Sequence, residues 1–139
     1  MTPHEKFLSL KDEIPPYRPP PKQFSFVLAK KSGNLLILSG HGPNLKEAPP
    51  KFDYVGKVGK DLTIDEGYSA SRLVGLNLLV SCLQFVKSLD DVDQVLRADG
   101  FVNCDPGFVS QSRVLNGCTD LFVEIFGENG KCSLSLIHI

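Results

Sequence analysis

Apolar positions recur in two rhythms along this chain, and the change of rhythm sets its layout. Phe24 to Ala29 and Leu35 to Ser39 are short apolar-rich runs separated by Lys30-Lys31-Ser32-Gly33-Asn34. Gly and Asn accept the positive φ of a tight turn, so the pair predicts a β-hairpin. From Tyr68 the spacing changes to threes and fours: Tyr68, Leu73, Leu76, Leu79, Leu83 and Val86 form one broad helical stripe. Thr63-Ile64-Asp65-Glu66 is a capping box, which starts that helix at Ile64 and lets it run to about Ser88. Its Leu76, Leu79 and Leu83 stripe is expected to pack against sheet. Gln94 to Asn103, with Val95, Leu96, Phe101 and Val102, predicts a strand in which Gly100 marks a bulge. Val114, Leu115, Cys118, Leu121, Phe122 and Ile125 then make a second amphipathic helix, closed by Gly127.

The predicted order is β-β-α-β-α, an α+β fold with a mixed β-sheet and two helices packed on one face. Two amphipathic helices need more apolar sheet than three short strands offer, so the segment from Glu128 to Ile139 should add to it. The tail Leu134 to Ile139, LSLIHI, is too short to add much, which leaves the terminal strands incomplete. Ile14 to Pro21 carries five of the ten prolines and favours an extended arm that drapes over the domain; such an arm can also serve as a ligand for SH3-type modules. We therefore expect residues 1–23 to be a Pro-rich lead-in and residues 24–139 a single domain. A Pro- and Lys-rich loop should follow Pro43 to about Lys51.

Composition narrows the classes. With 139 residues, 42% of them hydrophobic and 22% charged, the chain is one ordinary domain and not a disordered or fibrous sequence. Fifteen Lys and Arg against sixteen Asp and Glu give a net charge of -1, so no global positive field gathers nucleic acid or anionic lipid. Cys82, Cys104, Cys118 and Cys132 contain no CxxC pair and read as reduced thiols of a cytoplasmic protein. The most apolar window, Leu73 to Leu83, is about half the ~20 residues of a membrane span and is broken by Asn77 and Ser81. Met1 to Lys11 has no apolar core of a secretory signal.

Most candidate chemistry weakens on inspection. Gly56-Lys57-Val58-Gly59-Lys60 lacks the spacing of a phosphate loop, and Asp61 stands where a metal-binding hydroxyl belongs, so a glycine-punctuated turn into the Thr63 cap is the better reading. His4, His41 and His138 have no second ligand at metal spacing, and no metal is expected. Cys104 with His41 is a conceivable thiolate-imidazole pair, but a buried Cys is more often a small hydrophobe. Arg72 reads as solvated or ion-paired.

Particular strings carry more. LLILSGHGP (Leu35 to Pro43), GKVGKDLTIDEGYSASR (Gly56 to Arg72), GFVNCDPGF (Gly100 to Phe108) and VLNGCTDLFVEIFGENGK (Val114 to Lys131) together resemble the YjgF/RidA family, and within it the endoribonuclease L-PSP/chorismate mutase-like branch. The resemblance implies a homotrimer when the chain is full length, with a small-molecule ligand in clefts at the subunit interface. It also implies enamine or imine deamination by hydrolysis, with 2-aminoacrylate as the type of substrate and no cofactor. Ser39 and Gly40, with His41 where the family commonly has Gln, match the motif that lines the cleft, and Asn103 falls on the opposite wall. Phe26 stands where catalytic members have a cleft tyrosine. The family's carboxylate-clamping arginine position falls on Leu134, which cannot form two charge-assisted hydrogen bonds. The resemblance fades after Lys131, so a truncated or mis-joined C-terminus is expected.

Three functions follow: an impaired deaminase, a non-catalytic binding protein for a metabolite or protein partner, and, least supported by the charge balance, an endoribonuclease. No membrane association is expected.

Overall fold

The Thr63 capping box forms as its residues require. In a computed structural model that describes residues 1–45 and 53–138, the Thr63 hydroxyl accepts from the Glu66 amide at 3.1 Å, and the Thr63 amide donates to the Glu66 carboxylate at 2.8 Å. The helix so started, α2 (Ile64–Cys82), is shorter than the stripe suggested. Beyond Cys82, the amides of Gln84 and Phe85 bond to the carbonyls of Ser81 and Cys82 three residues back, which winds the chain out of α-helix. Before α2 come α1 (Pro3–Ser9), β1 (Ala29–Ser32) and β2 (Leu35–Leu38); after it come β3 (Arg97–Val102), α3 (Gln111–Phe126) and β4 (Ser133–His138). The class is α+β, as expected.

Helices α2 and α3 lie side by side along a seam of small residues. Gly67, Ser71 and Gly75 recur every fourth position on α2, against Val114, Gly117, Cys118 and Leu121 of α3. Ser71 Oγ donates to the Leu115 carbonyl at 3.3 Å and accepts from the Cys118 amide at 3.1 Å. Leu76 and Leu79 then enter a core with Leu121, Phe122 and Ile125 of α3 and Phe7 of α1, while Leu36 of β2 packs at its margin. The stripe expected to face sheet thus faces the second helix as well. The reason is the small seam, which brings the two helix axes close enough for their leucines to interdigitate.

Helix α1 has its own start signals within the proline-rich lead-in: Thr2 caps it, Glu5 completes the box, and Pro3 occupies its first turn. Phe7 is the side chain it buries. After it the proline arm does drape over the domain, with Pro15 fully buried and Ile14 against the core. Arg72 of α2 fastens it. The guanidinium bonds both Glu13 oxygens, at 3.1 and 3.3 Å, and reaches Glu124 of α3 at 2.9 Å. These carboxylates hold the Arg72 pKa above its already high ordinary value.

The sheet consists, among the described residues, of two two-stranded ladders. Strands β1 and β2 pair antiparallel across Gly33 and Asn34, with only Gly33 at positive φ (+57°). The hairpin forms, but its first strand is shifted: Phe24 to Leu28 is bend and irregular chain, and Lys30 to Ser32, expected in the turn, belong to β1. Strands β3 and β4 pair parallel from Arg97 opposite Ser133 to Val102 opposite His138, with α3 as the crossover that parallel strands need. Two expectations are corrected here. Gly100 faces Leu136 in unbroken register and is no bulge; a Cβ on it would sit 2.1 Å from Leu115 Cδ1, so it is glycine to admit the helix. The tail is not marginal either, since residues 133–138 form a six-residue strand along the whole of β3. The loop expected up to Lys51 falls, from 46 to 52, outside the described residues, as does Ile139.

Candidate functional site

The hairpin ladder continues one residue past β2, where the Ser39 amide donates to the Leu28 carbonyl at 2.8 Å. That contact aims the next residues, Gly40 and His41, over α2. The His41 ring is then held at both nitrogens: Nδ1 lies 2.6 Å from the Ser39 carbonyl oxygen and Nε2 lies 2.8 Å from Ser81 Oγ. A carbonyl oxygen can only accept, so the network assigns the ring hydrogen to Nδ1 and makes the Ser81 hydroxyl the donor to Nε2. With both nitrogens engaged, His41 ties the strand end to α2.

One turn earlier on α2, the Asn77 side-chain amide donates to the carbonyls of Asn44 and Leu73, both at 3.0 Å. This ties the chain beyond Pro43 to the helix. Between these fixed points lies a cavity of about 90 Å³. Gly40 and His41 form one wall, Asn77 and Ser81 the floor, and Tyr17 and Arg18 of the proline arm the other wall. Among the described residues no Asp or Glu lines it. The Arg18 Nη1 is buried and has no hydrogen-bond partner.

The sequence-derived site residues divide. Gly40 and His41 line the cavity, and Ser39 supports His41 through its carbonyl. Phe26 lies outside the lining, about half exposed, with its ring 5.6 Å from that of Phe24. Asn103 is also elsewhere: its side chain donates to the Gly56 carbonyl at 3.1 Å, and its own carbonyl accepts from the Val58 amide at 3.0 Å. There it holds the 56–62 turn, where Gly56 and Gly59 take φ of +127° and +93°. The turn reading of Gly56 to Lys60 is the one observed. Arg18, Asn77 and Ser81 were not among the candidates. The signal for two of them was present, as the polar breaks in the Leu73 to Leu83 window.

The thiols offer no nucleophile. Cys104 sits with Val58, Val102 and Val114 in a second small cluster, where its sulfur accepts from Gln111 Nε2 at 3.7 Å; it makes no pair with His41. Burial pushes the Cys118 thiol up to about 12 and raises Cys82 as well, which keeps both protonated near neutrality. Among the described residues no three His, Cys, Asp or Glu side chains gather into a metal-holding group. Nor is any helix there long and apolar enough to cross a membrane. Leu134 faces Ala98 across the β3–β4 ladder.

Comparison with known proteins places this geometry. A family model described as "YjgF/chorismate mutase-like, putative endoribonuclease" matches residues 25–138. The match therefore runs through the tail that the strings above left out. The chain is 33% identical to "Protein TCP17" of Trypanosoma cruzi over 111 residues, covering 74% of this chain and 69% of that protein. A crystal structure titled as a "putative endoribonuclease" of Shewanella oneidensis superimposes with a TM-score of 0.88 at 29% identity, covering 100% of this chain and 89% of the other. The protein Atu1372 of Agrobacterium tumefaciens, described as of unknown function, gives 0.81 at 26% identity, with coverage of 99% and 81%.

Proposed function

We propose a function from one premise: the chain belongs to the YjgF/chorismate mutase-like family. On that scaffold it is a small-molecule cleft protein in which enamine or imine hydrolysis of the family type is impaired. The observation that carries the reading is the convergence of the strand-end residues Gly40 and His41 with Asn77 and Ser81 around one small cavity. Support for impairment comes from two residues. Leu134 stands at the expected clamp position, and Phe26 lacks a hydroxyl. Loss of a charged bidentate contact in a transition state commonly costs several kcal/mol, hence orders of magnitude in rate.

The test is the lifetime of 2-iminobutyrate with and without the purified chain. We expect decay within about tenfold of the buffer rate, the residue of catalysis left to binding alone. Turnover equal to that of an arginine-bearing family member in the same assay would overturn the reading. RNA cleavage is not part of the proposal. A cavity of about 90 Å³ does not hold a nucleotide, and among the described residues Arg18 is the only permanent cation on its lining.

Assembly belongs to the same proposal. The ladders leave Ile37 60% exposed and Phe101 61% exposed, with Leu136 and Ile137 partly bare beside them. Apolar strand surface of this kind marks an association face, and a trimer of this chain is the expected state. Size-exclusion chromatography with light scattering should give three times the 15.3 kDa chain mass. A monomer at micromolar concentration would refute it.

A further inference from the structure

We propose that Arg18, carried on the proline arm, is the cationic anchor of the cavity, and that the cavity takes the carboxylate end of a small organic acid. The inference deepens the ligand-cleft reading above and rests on it. Four observations lead there.

The first is the unpartnered donor. Arg18 Nη1 is buried without a hydrogen-bond partner. A buried guanidinium N–H that bonds to nothing is costly, and such groups normally have a partner in the protein, in water or in a ligand. The second is the sign of the lining. Among the described residues, Arg18 is joined there by the polar side chains of His41, Asn77 and Ser81 and by no carboxylate that would neutralise the guanidinium. Two of the other arginines are paired: Arg72 bonds Glu13 and Glu124, and Arg97 bonds Asp99 at 2.9 Å. The third is size. About 90 Å³ is several water molecules' worth of space and far below the roughly 300 Å³ at which drug-sized ligand sites begin. That suits a two- to four-atom head group.

The fourth is pre-organisation. Arg18 lies between Pro16 and Pro19 in a segment whose prolines fix φ, and the buried Pro15 and the Arg72–Glu13 pair fasten the arm just before it. The guanidinium is thus presented to the cavity by a stiff strap, with little ordering left for a ligand to impose. A planar fork with free N–H groups fits a carboxylate better than it fits a point anion.

The test uses the full chain labelled uniformly with ¹⁵N and titrated with pyruvate at constant ionic strength. We expect the Arg18 side-chain N–H resonance to move saturably, while those of Arg97 and Arg113 stay in place. R18Q should weaken pyruvate binding about tenfold or more, the loss of a charge-assisted contact, and R18K should retain part of it. If R18Q does not fold, judged by circular dichroism, the wild-type resonance shift and R18K decide alone. A parallel titration with inorganic phosphate separates a carboxylate site from a general anion site. Phosphate binding as tight as pyruvate overturns the carboxylate assignment. Pyruvate that shifts the amides of Gly40 and His41 but leaves Arg18 unmoved overturns the anchor while the cleft reading stands. Pyruvate that shifts neither overturns both.

Discussion

Replacing Gly117 with alanine should destabilise the protein by about 3 kcal/mol or more, at the upper end of what overpacking costs. A Cβ built at Gly117 of α3 lies 2.0 Å from the Tyr68 carbonyl oxygen and 2.9 Å from the Arg72 amide nitrogen. Both are backbone atoms of α2, so no side-chain rotation relieves the clash. The helices must move apart, and the Ser71 bridge to Leu115 and Cys118 would stretch with them. Chemical denaturation of G117A reads the effect directly. A midpoint within experimental error of the parent would mean that the two helices are not packed as closely as described.

Leu79→Ala should cost about 2 to 5 kcal/mol, the range for a buried leucine whose surroundings collapse only partly. Leu79 is 5% exposed and shares its cluster with Leu76, Leu121 and Ile125. Those neighbours belong to two helices already fixed by their seam, so the site has little freedom to close over the void. Again the readout is the denaturation midpoint. A near-neutral substitution would place Leu79 on the wrong face of α2.

The two substitutions also show which parts of the fold were legible in the sequence. Leu79 was visible because its signal is periodic: a leucine at helical spacing, behind a capping box, has few other interpretations. Gly117 was not, because a glycine inside a helix reads as a weakness until the partner backbone is known. Gly100 misled for the same reason, since close approach by Leu115 and a bulge both call for glycine in a strand. The parallel pairing of β4 could not be read from LSLIHI, because the pairing energy lies in β3 and in the crossover helix. Of the site, Gly40 and His41 announced themselves through the residues around them, whereas Arg18 is silent among prolines. Its importance comes from where the arm lands, and that is set by the pairing of Glu13 with Arg72 on α2.

That landing has a consequence for how the protein opens. The cavity floor belongs to α2, whose amides are bonded within the helix and backed by the main core. The outer wall is an arm with no strand or helix of its own, whose described anchors are the buried Pro15, Ile14 and the Arg72–Glu13 pair. Regions with few backbone bonds exchange amide hydrogens through local openings that need less than the global unfolding free energy. Amides of Tyr17 and Arg18 should therefore exchange with deuterium well before those of Leu76 and Leu79, so that the wall comes and goes while the floor persists. An occupant that bridged the two would slow the first set toward the second.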